Sequence, residues 1–548
     1  MRRNNPMKRN IIFALAIMFA IQLFAAADGT YKKIIDEYTL TADGGITQKV
    51  TKVLRHNTHH SFFTLFGETF VVYNPEYQKI KIDTSYTVQK DGTIIKTPAN
   101  AFNNVLPSIA AKAPDYNGLT ELVITHTGLE LGATSYLEYT LTTEPGVFNS
   151  LDIDEVIGVA GADIDKYQVI VNVPEGTALR WSLTDSKVKP TIKGGRYTWT
   201  FNGVESAKGE ENTPYGYGGV PHLSITTSQS LADNLMPLTI ETRDLRRAPR
   251  EYMQEATNDQ QRAEAIQKYI VTGLGTCNVQ PYLTANSVRQ CGRVMETAYG
   301  TEAEKALAMA KLMRAEGLSA QAVVAFPAGQ QVKTIRNIAE YMVLSGGKLY
   351  SVRTLGESLL KWRTSQYSIF DLAGNAIEMQ PTDTEITMTG NVTLSAKKVS
   401  QDFEYNVTPL RGNDNSRKYV KEEKVSENSG YITYTLPSPA TGCVDKWSIT
   451  RLNKERTAPF AIPYTVSEKN EYIISLNGVK SVTKNASKSV KNSVGCVSIS
   501  IVNEDGKIVI RRSIELYTDI IPAAKYKEFY EIMRLWNNPA YRKVIARK

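Results

Sequence analysis

Strand-like runs lie on both sides of one helical stretch, and this order constrains the chain most: two β-rich parts must flank a mixed α/β centre. Residues 31–240 read as β structure. Tyr38 to Leu40 runs into a turn at Asp43-Gly44-Gly45, and Asp91-Gly92 stands between Tyr86–Gln89 and Thr93–Ile95. Asp-Gly between strand-like runs marks a hairpin, because it supplies the positive φ that tight turns need. Further runs occur at Leu122–His126, Ser135–Leu141 and Tyr167–Val173, a spacing that suggests a sandwich. Gly209–His222, rich in Gly, Tyr and Pro, reads as a loop returning to the sheet.

Around Asp244 the texture changes. Residues 250–273 and 301–316 carry helical periodicity, with Ala303, Ala306, Leu307, Ala310 and Met313 along one side and Gly317 placed as a C-cap. Strand-like segments follow at Ala320–Phe326, Glu340–Leu344 and Lys348–Val352, the last two joined by Gly346-Gly347. A helix packed on antiparallel strands is an α+β arrangement. From about Glu385 the chain is strand-like again, with Tyr431–Leu436, Tyr472–Leu476 and Lys507–Ile510, and Ala524–Trp536 reads as a closing helix. No solenoid-type repeat and no low-complexity segment occurs.

The 548 residues suffice for three or four domains, and 42% hydrophobic with 22% charged content is ordinary for a globular protein. Arg2, Arg3, Lys8 and Arg9 precede an apolar run, Ile11–Phe24, and then the small residues Ala25–Ala27. That order is expected of a secretory signal peptide over residues 1–27. The run is short for a membrane anchor, which needs about 20 apolar residues, and no cysteine follows it to carry a lipid. No later apolar stretch is long enough to span a bilayer. Part of the formal charge of +8 belongs to this segment; the rest keeps 60 basic against 56 acidic residues, or +4. These charges are interleaved, and Arg243, Arg246, Arg247 and Arg250 read as a solvated linker or helix start. No basic patch of the kind nucleic acid requires stands out.

Four cysteines, Cys277, Cys291, Cys443 and Cys496, allow three pairings in an exported protein. Cys443–Cys496 is a plausible bridge within one β part; Cys277 and Cys291 form another or remain buried thiols. His56 and His60 have a spacing that binds metal on a helix. Their surroundings read as strand or loop, with no acidic or cysteine ligand close in sequence, so a surface turn is expected and no metal or cofactor.

The stretch Ser287–Phe326, centred on Tyr299-Gly300-Thr301-Glu302-Ala303-Glu304-Lys305-Ala306, resembles the core of the transglutaminase-like superfamily. Leu312-Met313-Arg314-Ala315-Glu316-Gly317 is similar to the phrase that ends the family's helix, and Gln321–Phe326 to the strand after it. The flanks are similar to the β domain of unknown function that often precedes this core in bacterial exported proteins, and to the β domain that often follows it. The resemblance implies an α+β multidomain chain: a signal peptide (1–27), an N-terminal β-sandwich (28–240), a central papain/transglutaminase-like core (241–380) and a C-terminal β-rich domain with a terminal helix (381–548).

The family's chemistry uses a cysteine at the helix start, a histidine on the next strand and an aspartate after it. The resemblance puts these slots at Glu302, Glu340 and Arg353. Independently of any alignment, the five histidines, His56, His59, His60, His126 and His222, all precede the core. A Cys–His pair built inside it is therefore impossible. Glu302 has two readings: a carboxylate favoured at a helix N-terminus, worth roughly 0.3–1 kcal/mol, or part of an ion-pair network with Glu340 and Arg353 filling the former active site. The expected function is a non-catalytic exported scaffold, periplasmic or at the cell surface, that binds an envelope protein, a peptide or a cell-wall fragment. The alternatives are a cysteine acyltransferase or peptidase working through displaced residues such as Cys291, and a carbohydrate-binding protein suggested by 29 tyrosines.

Overall fold

The computed structural model describes residues 27–207, 210–214, 220–239, 247–358, 365–378, 383–408, 417–440, 442–447, 449, 452, 455–504 and 506–548. The expected leader, Arg243, Arg246 and the boundaries expected at 240 and 380 lie outside the described residues.

Gly29–Leu40 is the organising strand of the N-terminal part. Its alternating burial fits a strand with one face on a core. It pairs antiparallel with Ile46–His56 and, more distantly, parallel with Ala162–Asn172. Five more strands complete an eight-stranded sheet, running from Thr191–Lys193 at one edge to Ile94–Lys96 at the other. Two three-stranded sheets cover it. One holds Glu68–Tyr73, Thr120–Thr125 and Phe102–Val105; the other holds Arg180–Thr184, His222–Thr226 and Asp152–Val156. Ile34, Val169 and Trp199 of the large sheet pack with Ile153, Leu223 and Ile225, while Val50 and Leu137 pack with Val71 and Ile124. The result is a sandwich whose second layer is split in two. The Asp91-Gly92 hairpin forms as expected, with Gly92 at φ +91.

The helical stretch contains α1 (Asp259–Lys268), α2 (Cys291–Thr297) and α3 (Glu302–Ala315). Beside them an antiparallel sheet has the order Lys348–Ser351, Glu340–Ser345, Ala320–Pro327, Tyr367–Asp371, Ala376–Ile377. α3 lies on Ala320–Pro327 and Glu340–Ser345. Its small side chains, Ala303, Ala306, Ala308 and Ala310, are all buried and let the helix axis approach the sheet closely. Gly317, at φ +82, ends α3 by letting Leu318 N–H reach Met313 O (3.0 Å), and Gly346-Gly347, both at positive φ, turn the following hairpin.

The C-terminal part has a seven-stranded sheet running from Lys418–Lys424 to Ala486–Lys491, and a four-stranded sheet containing Tyr431–Thr435 and the last strand, Lys543–Arg547. The closing helix, α4, spans Tyr526–Trp536 after a short turn at Ala523–Lys525. Tyr526, Phe529, Ile532, Met533 and Trp536 recur at helical spacing and enter the core of this part. Among the described residues no helix is long and apolar enough to cross a membrane.

The expected cysteine bridges are corrected by the fold: all four cysteines are thiols. Cys277 packs with Tyr116 and Tyr299, whereas Cys291 belongs to a different cluster, with Sγ 3.9 Å from Met295 Sδ. Cys443 is buried beside Ser438 O, and Cys496 sits on a strand with Sγ 3.7 Å from Glu515 Oε2. Neither pair is directed at its partner.

Candidate functional site

The first turn of α3 carries two carboxylates with different surroundings. Thr301 is its N-cap. Its hydroxyl accepts from Glu304 N–H (3.2 Å), and the Glu304 carboxylate accepts from Thr301 N–H (2.8 Å). This reciprocal pair satisfies two backbone donors that a helix start leaves without partners. Glu302 therefore does not cap the helix with its side chain. Its two oxygens instead receive Arg353, Nε at 2.6 Å and Nη2 at 2.7 Å.

Arg353 directly follows the strand Lys348–Ser351 and Val352, which brings it over the start of α3. Its Nη2 also donates to Ala339 O (3.2 Å), and its N–H donates to Ser351 Oγ (3.1 Å). The Ser351 hydroxyl donates to Glu340 Oε1 (2.8 Å). The three positions singled out in the sequence thus meet at one place, with Glu302 and Arg353 paired directly and Glu340 joined through Ser351. The pair is partly solvated, the two side chains being 24% and 48% exposed. A carboxylate neutralised by a guanidinium is a weak nucleophile, and neither group carries protons as an imidazole does near neutral pH.

Two residues further on, Glu304 is fully buried. Besides Thr301 it accepts from Arg289 N–H (2.8 Å), Arg289 Nε and Nη2 (both 3.0 Å) and the Tyr116 hydroxyl (2.6 Å). Arg289 extends to Asp115 (2.7 Å) and lies over the Tyr299 and Tyr116 rings. Arg293 completes the group on Asp115, whose carboxyl is held at about 2 chiefly by that bond. Asp115 and Tyr116 come from the N-terminal sandwich, so this network fastens the sandwich to α3. The sequence reading missed it, although Thr301-x-x-Glu304 has capping-box spacing and would have marked Glu304 as the cap.

A cavity of about 600 Å³ runs along α3, lined among others by Arg289, Cys291, Leu307 and Arg314. Cys291 opens α2 and is buried. Cys277 is also buried, which raises its pKa, and burial raises the Cys443 thiol to about 12. These conditions oppose thiolate formation at the two sites.

The histidines stand elsewhere. His222 is buried, with Nε2 2.9 Å from Asp154 and Nδ1 2.9 Å from the Gln330 amide. This arrangement, with Asn337 donating to Ser224 Oγ and Val332 N–H to Ser182 Oγ, ties the loop after Pro327 into the sandwich. His56 lies between Ser61 and Ser135, and His126 pairs with Thr69. Among the described residues no histidine bonds to a cysteine. His56 points inward while His59 and His60 are exposed, so these three do not converge on one ion; His59 and His60 lead into a short helical turn at Ser61–Leu65 rather than lying in an extended loop.

Residues 42–208 match the family described as a domain of unknown function with solved structure, DUF3857, and residues 431–546 match another, DUF3858. The first match lies in the sandwich and the second in the C-terminal β part, one on each side of the helical core. None of the curated proteins matches the chain. Among solved structures it is similar to a putative protease from Parabacteroides distasonis, with 29% identity and a TM-score of 0.77. That likeness covers 96% of this chain and 100% of the other, so the two share the whole multidomain arrangement.

Proposed function

We propose that this chain is an exported, non-catalytic binding protein whose centre is a transglutaminase-like core with its triad positions replaced by Glu302, Glu340 and Arg353. Its place of work is the periplasm or the cell surface. The observation that carries the reading is the bidentate Arg353–Glu302 pair at the start of α3. It occupies the helix terminus where a family nucleophile would stand, and the histidine-free sequence after His222 leaves that terminus without a proton carrier. The flanking matches to domains of unknown function and the likeness to a putative protease fit a transglutaminase-like organisation. The partner class is a protein, a peptide or a cell-wall fragment, held by strand addition or side-chain pockets as extended chains commonly are.

One observation favours a second reading, a cysteine hydrolase or acyltransferase with a displaced nucleophile: Cys291 opens a helix and lines the large cavity. A single comparison separates the two. The mature protein and its Cys291→Ser variant are assayed on a peptide library for amide cleavage and acyl transfer, and both are cross-linked in the cell envelope. The binding reading expects no turnover from either and the same captured partner for both. Turnover that disappears in Cys291→Ser would overturn it.

A further inference from the structure

A second cavity, of about 140 Å³, lies between the sandwich and the core, away from α3 and the cysteines. Tyr38 and Gln48 of the large sheet and Asp152 of the small sheet meet Tyr282, Asn286 and Arg336 of the core there. Three features make it more than a packing gap. Asn286 is nine-tenths buried, yet its side-chain oxygen accepts no hydrogen bond. A buried acceptor left without a donor costs about 1–3 kcal/mol. Asn286 also follows Ala285 through two successive left-handed conformations, φ +51 and φ +58. Asp152 is equally buried and receives only neutral donors, from Ser150 (2.8 Å), Thr226 (2.5 Å) and Asn234 (2.8 Å), with no basic side chain bonded to it. Arg336 is exposed and stacks on the Tyr282 ring at 4.3 Å, while its guanidinium forms no hydrogen bond or ion pair with another described residue.

An acceptor-rich wall facing an exposed guanidinium that bonds no described carboxylate is complementary to a ligand with a cation at one end and an anion at the other. Two more buried acids, Asp36 and Glu155, stand behind Tyr38; Tyr167 donates to Asp36 and Tyr38 to Glu155. Size sets the rest. A cavity of about 150 Å³ takes one benzene ring, so about six or seven non-hydrogen atoms fill this one.

We propose that this interdomain cavity binds a free α-amino acid with a small side chain, its ammonium received by Asn286 Oδ1 and the Asp152 carboxylate and its carboxylate by Arg336. The guanidinium matches a carboxylate bidentately, as Arg does wherever planar anions are recognised. Because the ligand touches both the sandwich and the core, binding also strengthens the joint between them. The inference does not depend on the core being non-catalytic, since no residue of the α3 site takes part.

The test is calorimetry and thermal unfolding of the full mature chain with glycine, alanine and serine. Controls are N-acetylglycine, which lacks the ammonium, glycinamide, which lacks the carboxylate, and leucine and glycylglycine, which exceed the volume. Saturable binding of the first three, with a raised unfolding temperature and no response to the controls, is expected. Arg336→Ala, a change at an exposed site, weakens binding about tenfold or more, whereas Asn286→Asp, which keeps the acceptor and adds charge, preserves it. Absence of saturable binding by all three amino acids overturns the proposal. So does equal binding of N-acetylglycine, or unchanged affinity in a folded Arg336→Ala variant.

Discussion

Glu302 and Glu304 stand two residues apart in the same helical turn, and each is received by an arginine, yet they do different things. Glu304 is wholly buried and Arg289 is 13% exposed; together with Thr301 and Tyr116 they form a closed network between two parts of the chain. Glu302 and Arg353 are half-solvated and sit at the mouth of the turn. A charge pair taken out of water must satisfy every lone pair and proton to persist, whereas a solvated pair is held loosely and contributes little. The buried pair is therefore structural. The exposed one is the replaceable feature.

This contrast is broken or kept by urea unfolding of two variants. Glu304→Ala leaves Arg289 buried beside Tyr116 and Tyr299 without its main counter-charge, and is expected to cost about 3–5 kcal/mol. Glu302→Ala is expected to cost no more than about 1 kcal/mol. Adding Arg289→Met to Glu304→Ala should recover part of the loss, because the stranded cation is removed with its partner. Equal losses from the two single variants would erase the distinction.

A third carboxylate extends the comparison to a site where no arginine bonds. Burial, with Asp36 beside it, pushes Glu155 up to about 7, and burial pushes Glu468 up to about 7 in the C-terminal part. A carboxyl with a raised folded pKa holds its proton more tightly in the fold than in the unfolded chain. Its contribution to stability is complete below the ordinary glutamate value and is lost as pH rises through about 7. His56 and His126 act in the opposite sense. Burial holds both down to about 4, so their contribution is present above the ordinary histidine value and lost as pH falls through about 4. From about pH 7 upward the histidines are mostly neutral in both states, and the two glutamates set the slope. Stability should then decline from about pH 7 to 8, and Glu155→Gln should lessen that decline and raise stability at pH 8. An unchanged decline in Glu155→Gln would show that Glu155 is charged in the fold at neutral pH.

The sequence made the local elements readable and left the joints between them hidden. Alanine spacing with Gly317 located α3, and Gly346-Gly347 located the hairpin that carries Glu340 and Ser351, because periodicity and caps act over a few residues. The meeting of Glu302 with Arg353 was one of two readings of Glu302, drawn from the positions that the family resemblance assigned. Arg289, Asp115 and Tyr116 could not be found this way, since their contact joins segments more than 170 residues apart. Parallel pairing of Gly29–Leu40 with Ala162–Asn172 was invisible for the same reason. The cysteine bridges failed because an even count permits pairing but says nothing of which clusters the thiols enter.

The smallest effect tests the exposed half of the comparison most directly. If the start of α3 still has the field of a nucleophile site, a thiol placed there should ionise easily. Glu302→Cys, made with Cys496→Ser to remove the partly exposed native thiol, puts sulfur at a helix N-terminus beside Arg353. Backbone N–H groups and the guanidinium both favour thiolate, so its alkylation should titrate on the order of one unit below the ordinary cysteine value. Adding Arg353→Ala removes the nearer charge and should return most of that shift, leaving the helix contribution. Amide cleavage is not expected in either variant, because a thiolate without an imidazole can attack but cannot protonate the leaving amine. A thiol that titrates at the ordinary value would mean that solvent screens this terminus, and Glu302 would then mark a surface ion pair rather than a vacated site.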